Sequence, residues 1–369
     1  MKRINLKLNG VIYINHQTTL KLIQEFINDS YAGRRLTIKG SRLKEGSVSN
    51  YLILQRLLMQ YCKAKKFELR IYVESNLSIT QKNNANLWYI KFYKEFTDYL
   101  YDELHYFDNY VGLIIKCYKT FMNHLELERQ IPIGNFLRHF HVPSEIVQMI
   151  AFKPDQLQYI IHSKELLEKL DERMKRIRDI FIFGCTVALR VSDLLKLTMK
   201  DITIRHDDYF LNVKSQKTKA QISIKLPPYA VEIIKRYDGK YPKLLPTFNI
   251  SSLNQDLKTF AKHLPDDFIY PKARERRGQP IIIYKNEELK THFHISDHIC
   301  THTMRRTSIT TMLMLGAPEH IVRQMSGHSP NSKEFFRYVQ LSQEYMNEET
   351  DRAFNKLCEW NPYKGWGNK

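Results

Sequence analysis

Between Thr301 and Tyr338 the chain reads THTMRRTSITTMLMLGAPEHIVRQMSGHSPNSKEFFRY, a stretch whose residue types are those that handle phosphate esters. It carries His302 and Arg305, then the pair Gly327-His328, then Tyr338. Residues three apart share a helix face, so an imidazole and a guanidinium here can reach the same phosphate. A guanidinium offers planar, permanently charged, bidentate donors to phosphate oxygens. A phenol can attack phosphorus and hold it as an ester. Singly, each feature has a commoner structural explanation: His-x-x-Arg is frequent on solvated helices, Gly-His often closes a helix, and the chain has 22 tyrosines. In this order, and with an arginine motif upstream, they describe a phosphodiester attacked by the protein itself.

The elements that must position these groups are readable. Ala317 to Met325 predicts a short helix with Pro318 at its first position, stopped by Gly327, which leaves His328 on the turn beyond. Asn331 or Ser332 starts another helix, with Glu334 at capping-box spacing from Asn331. On it Phe335, Phe336 and Val339 form the expected buried stripe, which puts Tyr338 roughly 100° off its centre by the 3.6-residue period. The upstream motif is IFGCTVALRVSDLLKLTMKDI, residues 182–202. An arginine inside so apolar a run, Arg190, is paired with Asp193, aimed at an anion, or both, because a buried unpaired charge is costly.

An arginine box, a lysine on a β-hairpin, His-x-x-Arg, a Gly-His box and a tyrosine, in that order, make the chain resemble the tyrosine recombinases of phages and transposons. The resemblance covers about residues 150 to 350. It implies Arg190, Lys217, His302, Arg305, His328 and Tyr338 as catalytic residues, with Asp193 orienting Arg190 or its helix. It implies a mainly α fold with a small antiparallel β-sheet in the catalytic domain, and a two-domain clamp on double-stranded DNA. A synaptic homotetramer, accessory DNA-bending proteins and a Holliday-junction intermediate are implied as well; a cofactor or metal is not. Two departures stand out. Ala188 takes a position where the family usually has Gly, and Tyr338 lies ten residues after His328, one more than is commonest.

Composition points the same way. With 369 residues and 43% hydrophobic content there is material for two cores. A formal charge of +18 implies a polyanionic partner, bound with release of counterions. Five dispersed cysteines suit a reducing cytosol better than a disulfide framework. The run THFHISDHICTH, with His292, His294, His298 and His302, alternates like a strand and lacks well-spaced partners for zinc. No signal peptide or membrane span is evident, so a cytoplasmic, nucleoid-associated protein is expected.

In chain order, residues 1–16 alternate like a short strand or hairpin turning at Asn9-Gly10, an N-terminal appendage of open role. Residues 17–145 predict four helices and resemble the family's core-binding domain. Their basic loop AGRRLTIKGSRLKEGS offers Arg34, Arg35, Lys39, Arg42 and Lys44 as contacts to DNA backbone, which positions without specifying sequence. A catalytic domain is expected over 146–350 and a tail over 351–369. Within it the period switches to strand after Asp201, and KTKA forms a hairpin tip. The resemblance favours Lys217 there, with Lys214 and Lys219 as rivals. Residues 265–300 are expected to be a basic, irregular insertion, KARERRGQP, followed by strand-like IIIYK.

Overall fold

The computed structural model describes residues 8–37, 39–214, 221–285, 288 and 291–359. It divides into two compact units, one formed by Met1–Val147 with Ala273–Ile282 and the other by Gln148–Lys272 with Ile283–Lys369.

The first unit opens with β1 (Tyr13–Ile14), then α1 (His16–Tyr31), α2 (Glu45–Lys65), β2 (Ile71–Tyr72), α3 (Ile79–Asp98) and α4 (Asp108–Leu127). Side-chain caps start two of these helices. Asn15 Oδ1 accepts from Thr18 N–H, and Ser78 with Gln81 forms a reciprocal capping box. A single π-helical turn, Tyr99–Glu103, extends α3. The core is aromatic, built around Phe26, Tyr61, Tyr89, Phe92, Phe121 and Phe140, all almost fully buried. The expected N-terminal hairpin takes another form: the chain turns at Gly10, φ +72°, and β1 pairs antiparallel with β2. Ile14 joins the core, so the described part of the expected appendage, from Leu8, is knitted into this unit.

In the second unit α5 (Pro154–His162), α6 (Lys164–Lys169) and α7 (Glu172–Val187) lead to the one-turn α8 (Val191–Leu194). Pro154 occupies the first turn of α5, where its missing N–H costs nothing. A three-stranded antiparallel sheet follows, β3 (Ile202–Arg205), β4 (Asp208–Lys214) and β5 (Gln221–Lys225), in that spatial order. Next come α9 (Pro228–Tyr237), α10 (Ile250–Ala261) and β6 (Ile269–Pro271).

The expected irregular insertion is instead a hairpin, β7 (Ala273–Arg276) and β8 (Gln279–Ile282), and it belongs to the first unit. Its turn residues Arg277 and Gly278 both have positive φ, as a two-residue hairpin turn requires. Buried Asp108 accepts both of their N–H groups, at 2.7 and 2.8 Å, and the Tyr101 hydroxyl. Arg274 and the Glu275 N–H bond to Glu145, and Arg277 pairs with Asp98 and Asp102. Matching charge, not apolar pattern, holds this basic run, so the contiguous 146–350 division is interrupted.

After it come β9 (His292–His294), paired with β6, then α11 (Thr301–Met314), α12 (Glu319–Ser326) and α13 (Lys333–Glu359). Helix α13 continues well into the expected tail. Among the described residues no helix is long and apolar enough to cross a membrane.

Candidate active site

Helix α11 sets the frame. Its first turn is held from two sides: Cys300 N–H bonds to Thr303 Oγ1, and Thr301 N–H to Asn254 Oδ1 of α10 at 2.8 Å. It crosses α7 at Gly184, where a Cβ would lie 2.5 Å from Met304 Sδ and 3.1 Å from Met304 Cβ. That close approach brings Arg305 to the C-terminal end of α7, where Arg305 Nη1 donates to Ala188 O at 2.7 Å. Ala188 itself is left-handed, φ +53° and ψ +15°. The backbone there takes the shape that glycine adopts most readily. This turn places Arg190 at the N-cap of α8, half-buried.

Arg305 is 2% exposed and gathers the other motifs around it. Its Nη2 lies 3.1 Å from His328 Nε2 and 3.3 Å from Nδ1. Near-equal distances to both nitrogens put that N–H over the ring face rather than along one lone pair. The Tyr338 phenol lies close enough to this guanidinium that each favours the charged form of the other. Burial, with the charge of Arg190, lowers the Arg305 pKa to about 10, opposed by Tyr338 and Asp193. Buried Asp193 thus favours the charged form of Arg305, a second partner beside the expected Arg190.

Helix α12 ends at Gly327 in a left-handed cap, with His328 N–H bonded back to Arg323 O at 3.0 Å. His328 is therefore fixed on the turn beyond the helix, as its sequence position implies. Its pKa falls to about 3, through burial first and then Arg305, Arg190, Arg323 and His302. His302 falls to about 4 through burial, Arg306, Arg305 and Arg190, against Glu334. More than a third of His302 remains solvent-accessible, and three neighbouring guanidiniums oppose its protonation. Both imidazoles are neutral at pH 7.

Tyr338 departs from its expected position. It is 1% exposed and sits on the buried face of α13 with Phe335, whereas Phe336 is 57% exposed. The phenol ring lies 5.8 Å from the His328 ring and 6.2 Å from Phe335, centre to centre. Arg323 lies over the buried Phe335 ring at 4.0 Å and reaches the exposed Phe336 ring at 5.1 Å. Burial raises the Tyr338 pKa, while Arg305 and Arg306 draw it down.

Arg190, Asp193, His302, Arg305, His328 and Tyr338 are thus brought together, and Lys217, with its rival Lys219, lies outside the described residues. Of the five basic-loop candidates, Arg34, Lys39, Arg42 and Lys44 are exposed. Arg35 is buried, its guanidinium 3.9 Å over the Phe26 ring and bonded to Ser30 Oγ. It is a packing residue of the first unit. Two members of the site escape the sequence reading. Arg306 adds charge beside His302 and Tyr338, and the Arg-Arg dipeptide was its signal. Ser326 touches His328, which no motif announces. Among the described residues no three His, Cys, Asp or Glu side chains are grouped to hold a metal.

Residues 152–344 match the family described as the phage integrase family. Among solved structures, a lambda integrase dimer bound to a COC' core site is similar over 86% of this chain and 94% of that one, with 11% identity and a TM-score of 0.54. The XerH site-specific recombinase in a post-cleavage complex with palindromic difH is similar over 90% and 94%, at 13% identity and TM-score 0.52. The Tn1549 transposon integrase with transposon right-end DNA is similar over 89% and 98%, at 13% identity and TM-score 0.51. At these identities the likeness is one of fold. No curated protein matches the chain.

Proposed function

We propose, from the premise that this chain belongs to the phage integrase family, that it is a site-specific DNA recombinase working through a 3′-phosphotyrosyl intermediate. The observation that carries the reading is Arg305, which bonds at once to the turn before Arg190 and to His328 and is coupled by charge to Tyr338. One buried cation thereby joins motifs that are far apart in sequence.

In this reading the Tyr338 oxygen attacks the scissile phosphorus, the 5′ oxygen leaves, and the ester energy is kept in the phosphotyrosyl bond, so no nucleotide cofactor is needed. Arg190 and Arg305 stabilise charge on the non-bridging oxygens in the transition state, assisted by His302 and His328. Lys217 protonates the departing 5′ oxygen. Asp193 orients Arg190 or its helix and favours the charged form of Arg305. Double-stranded DNA is the partner, engaged by both units, and strand exchange proceeds through a Holliday junction in a homotetramer.

The test is to sequence host DNA for rejoined junctions with the wild-type protein and with Tyr338→Phe. New junctions that need an intact Tyr338 support a recombinase. Relaxation of supercoiled plasmid with no junctions would make it a type IB topoisomerase-like enzyme. DNA binding with neither activity would leave an inactive binding protein of the same fold.

A further inference from the structure

Ser326 is fully buried at the end of α12, and its hydroxyl makes three close contacts. Oγ lies 2.6 Å from Val322 O, 3.3 Å from Arg323 O and 2.8 Å from His328 Nδ1. A hydroxyl has one proton to give. Two oxygens at 2.6 Å need a proton between them, so Ser326 donates to the carbonyl of Val322, the usual back-bond of a helical serine. Its lone pair is then what faces Nδ1, and Nδ1 must carry the ring proton. We infer that Ser326 is a positioning residue that locks His328 in the Nδ1–H tautomer and leaves Nε2 as an unprotonated acceptor.

The consequence deepens the recombinase reading and rests on it. A phosphate oxygen accepts hydrogen bonds, and a neutral His328 locked this way has no donor at Nε2 to offer. His328 engages the phosphodiester only as imidazolium, taking one proton from solvent at Nε2 when the anion arrives. Around it Arg305 of α11, Arg190 at α8, Arg323 of α12 and His302 oppose that charge, and Tyr338 of α13 packs against the ring. The phosphodiester supplies the counter-charge that reverses this balance. Proton uptake and substrate binding are thereby coupled at His328.

The test begins without DNA. ¹⁵N-histidine NMR on the full chain, with the His328 signals identified by their loss in His328→Gln, reads the tautomer directly. Wild type should show a protonated Nδ1 and a bare Nε2 near neutral pH, and Ser326→Ala should shift the population toward Nε2–H. Ser326→Cys, which keeps the side-chain volume but offers a weaker acceptor, should follow Ser326→Ala. An Nε2–H tautomer in the wild type, or one unchanged by both substitutions, would overturn the inference. On DNA, the ratio of wild-type to Ser326→Ala cleavage rates should fall about 5-fold or more from about pH 6 to about pH 9, because the unlocked ring can donate while neutral. A ratio independent of pH contradicts the coupling. If no DNA is cleaved at any pH, the recombinase reading fails, while the tautomer measurement still decides the role of Ser326.

Discussion

Arg305 holds the carbonyl of Ala188 and the ring of His328 and is coupled by charge to the phenol of Tyr338, so it organises these groups without a bound phosphate. In the proposed reaction its charge matters most when charge develops on the non-bridging oxygens. Arg305→Ala and Arg190→Ala should each slow covalent cleavage by roughly 10²-fold or more while changing duplex affinity far less. Parallel measurement of binding and cleavage checks this, and equal losses of both would point to a damaged domain. The histidines make a stability prediction. Their folded pKa values lie below the ordinary histidine value, so the neutral forms belong to the folded state. Stability from this source is complete above about pH 6.5 and is lost as pH falls toward about 3 to 4. Thermal melts from about pH 7.5 to about pH 4.5 should show a steeper acid loss in wild type than in His328→Gln. At this scale the sequence reveals residue types and their order well. It marks Arg306 only as the second half of an Arg-Arg pair and does not mark Ser326 at all, because their roles depend on which side chains the folded chain brings near two imidazoles.

Helix α13 shows what periodicity can and cannot decide. FFRYV permits a stripe through Phe335, Phe336 and Val339, or one through Phe335 and Tyr338; only the neighbours choose. Here Arg323 and His328 face Phe335, and Tyr338 turns inward with it. Phe335→Ala should therefore cost about 3 to 5 kcal/mol of stability and Phe336→Ala under about 1 kcal/mol, measured by denaturant unfolding. The reverse order would restore the stripe that the sequence alone suggests. Helices were legible where apolar spacing is regular, as over residues 17–145, whereas Asn15, which caps α1, lies in the stretch expected to be a strand or hairpin. The hairpin Ala273–Ile282 was not. Its fold rests on Asp98, Asp102, Asp108 and Glu145, well over a hundred residues away in sequence, and charge complementarity at that distance leaves no local pattern.

Across the whole molecule the formal charge of +18 is the property that folding does not require. If it serves to neutralise phosphates, duplex affinity should fall roughly 10³-fold or more between about 50 and 200 mM salt, and titrations at several salt concentrations give the slope. A flat dependence would remove DNA as the partner. The central claim is that this chain carries a nucleophilic tyrosine, Tyr338, with Tyr345 seven residues further along the same helix as its competitor. At about 1.5 Å per residue Tyr345 sits roughly 10 Å further from the Gly-His turn, and attack needs reacting atoms within about 3.5 Å. A nicked suicide substrate traps the covalent complex, and peptide mapping then locates the nucleotide-bearing residue. The account predicts an adduct on Tyr338, none in Tyr338→Phe and near-normal trapping in Tyr345→Phe; an adduct mapped to Tyr345, or trapping that survives Tyr338→Phe, would contradict it.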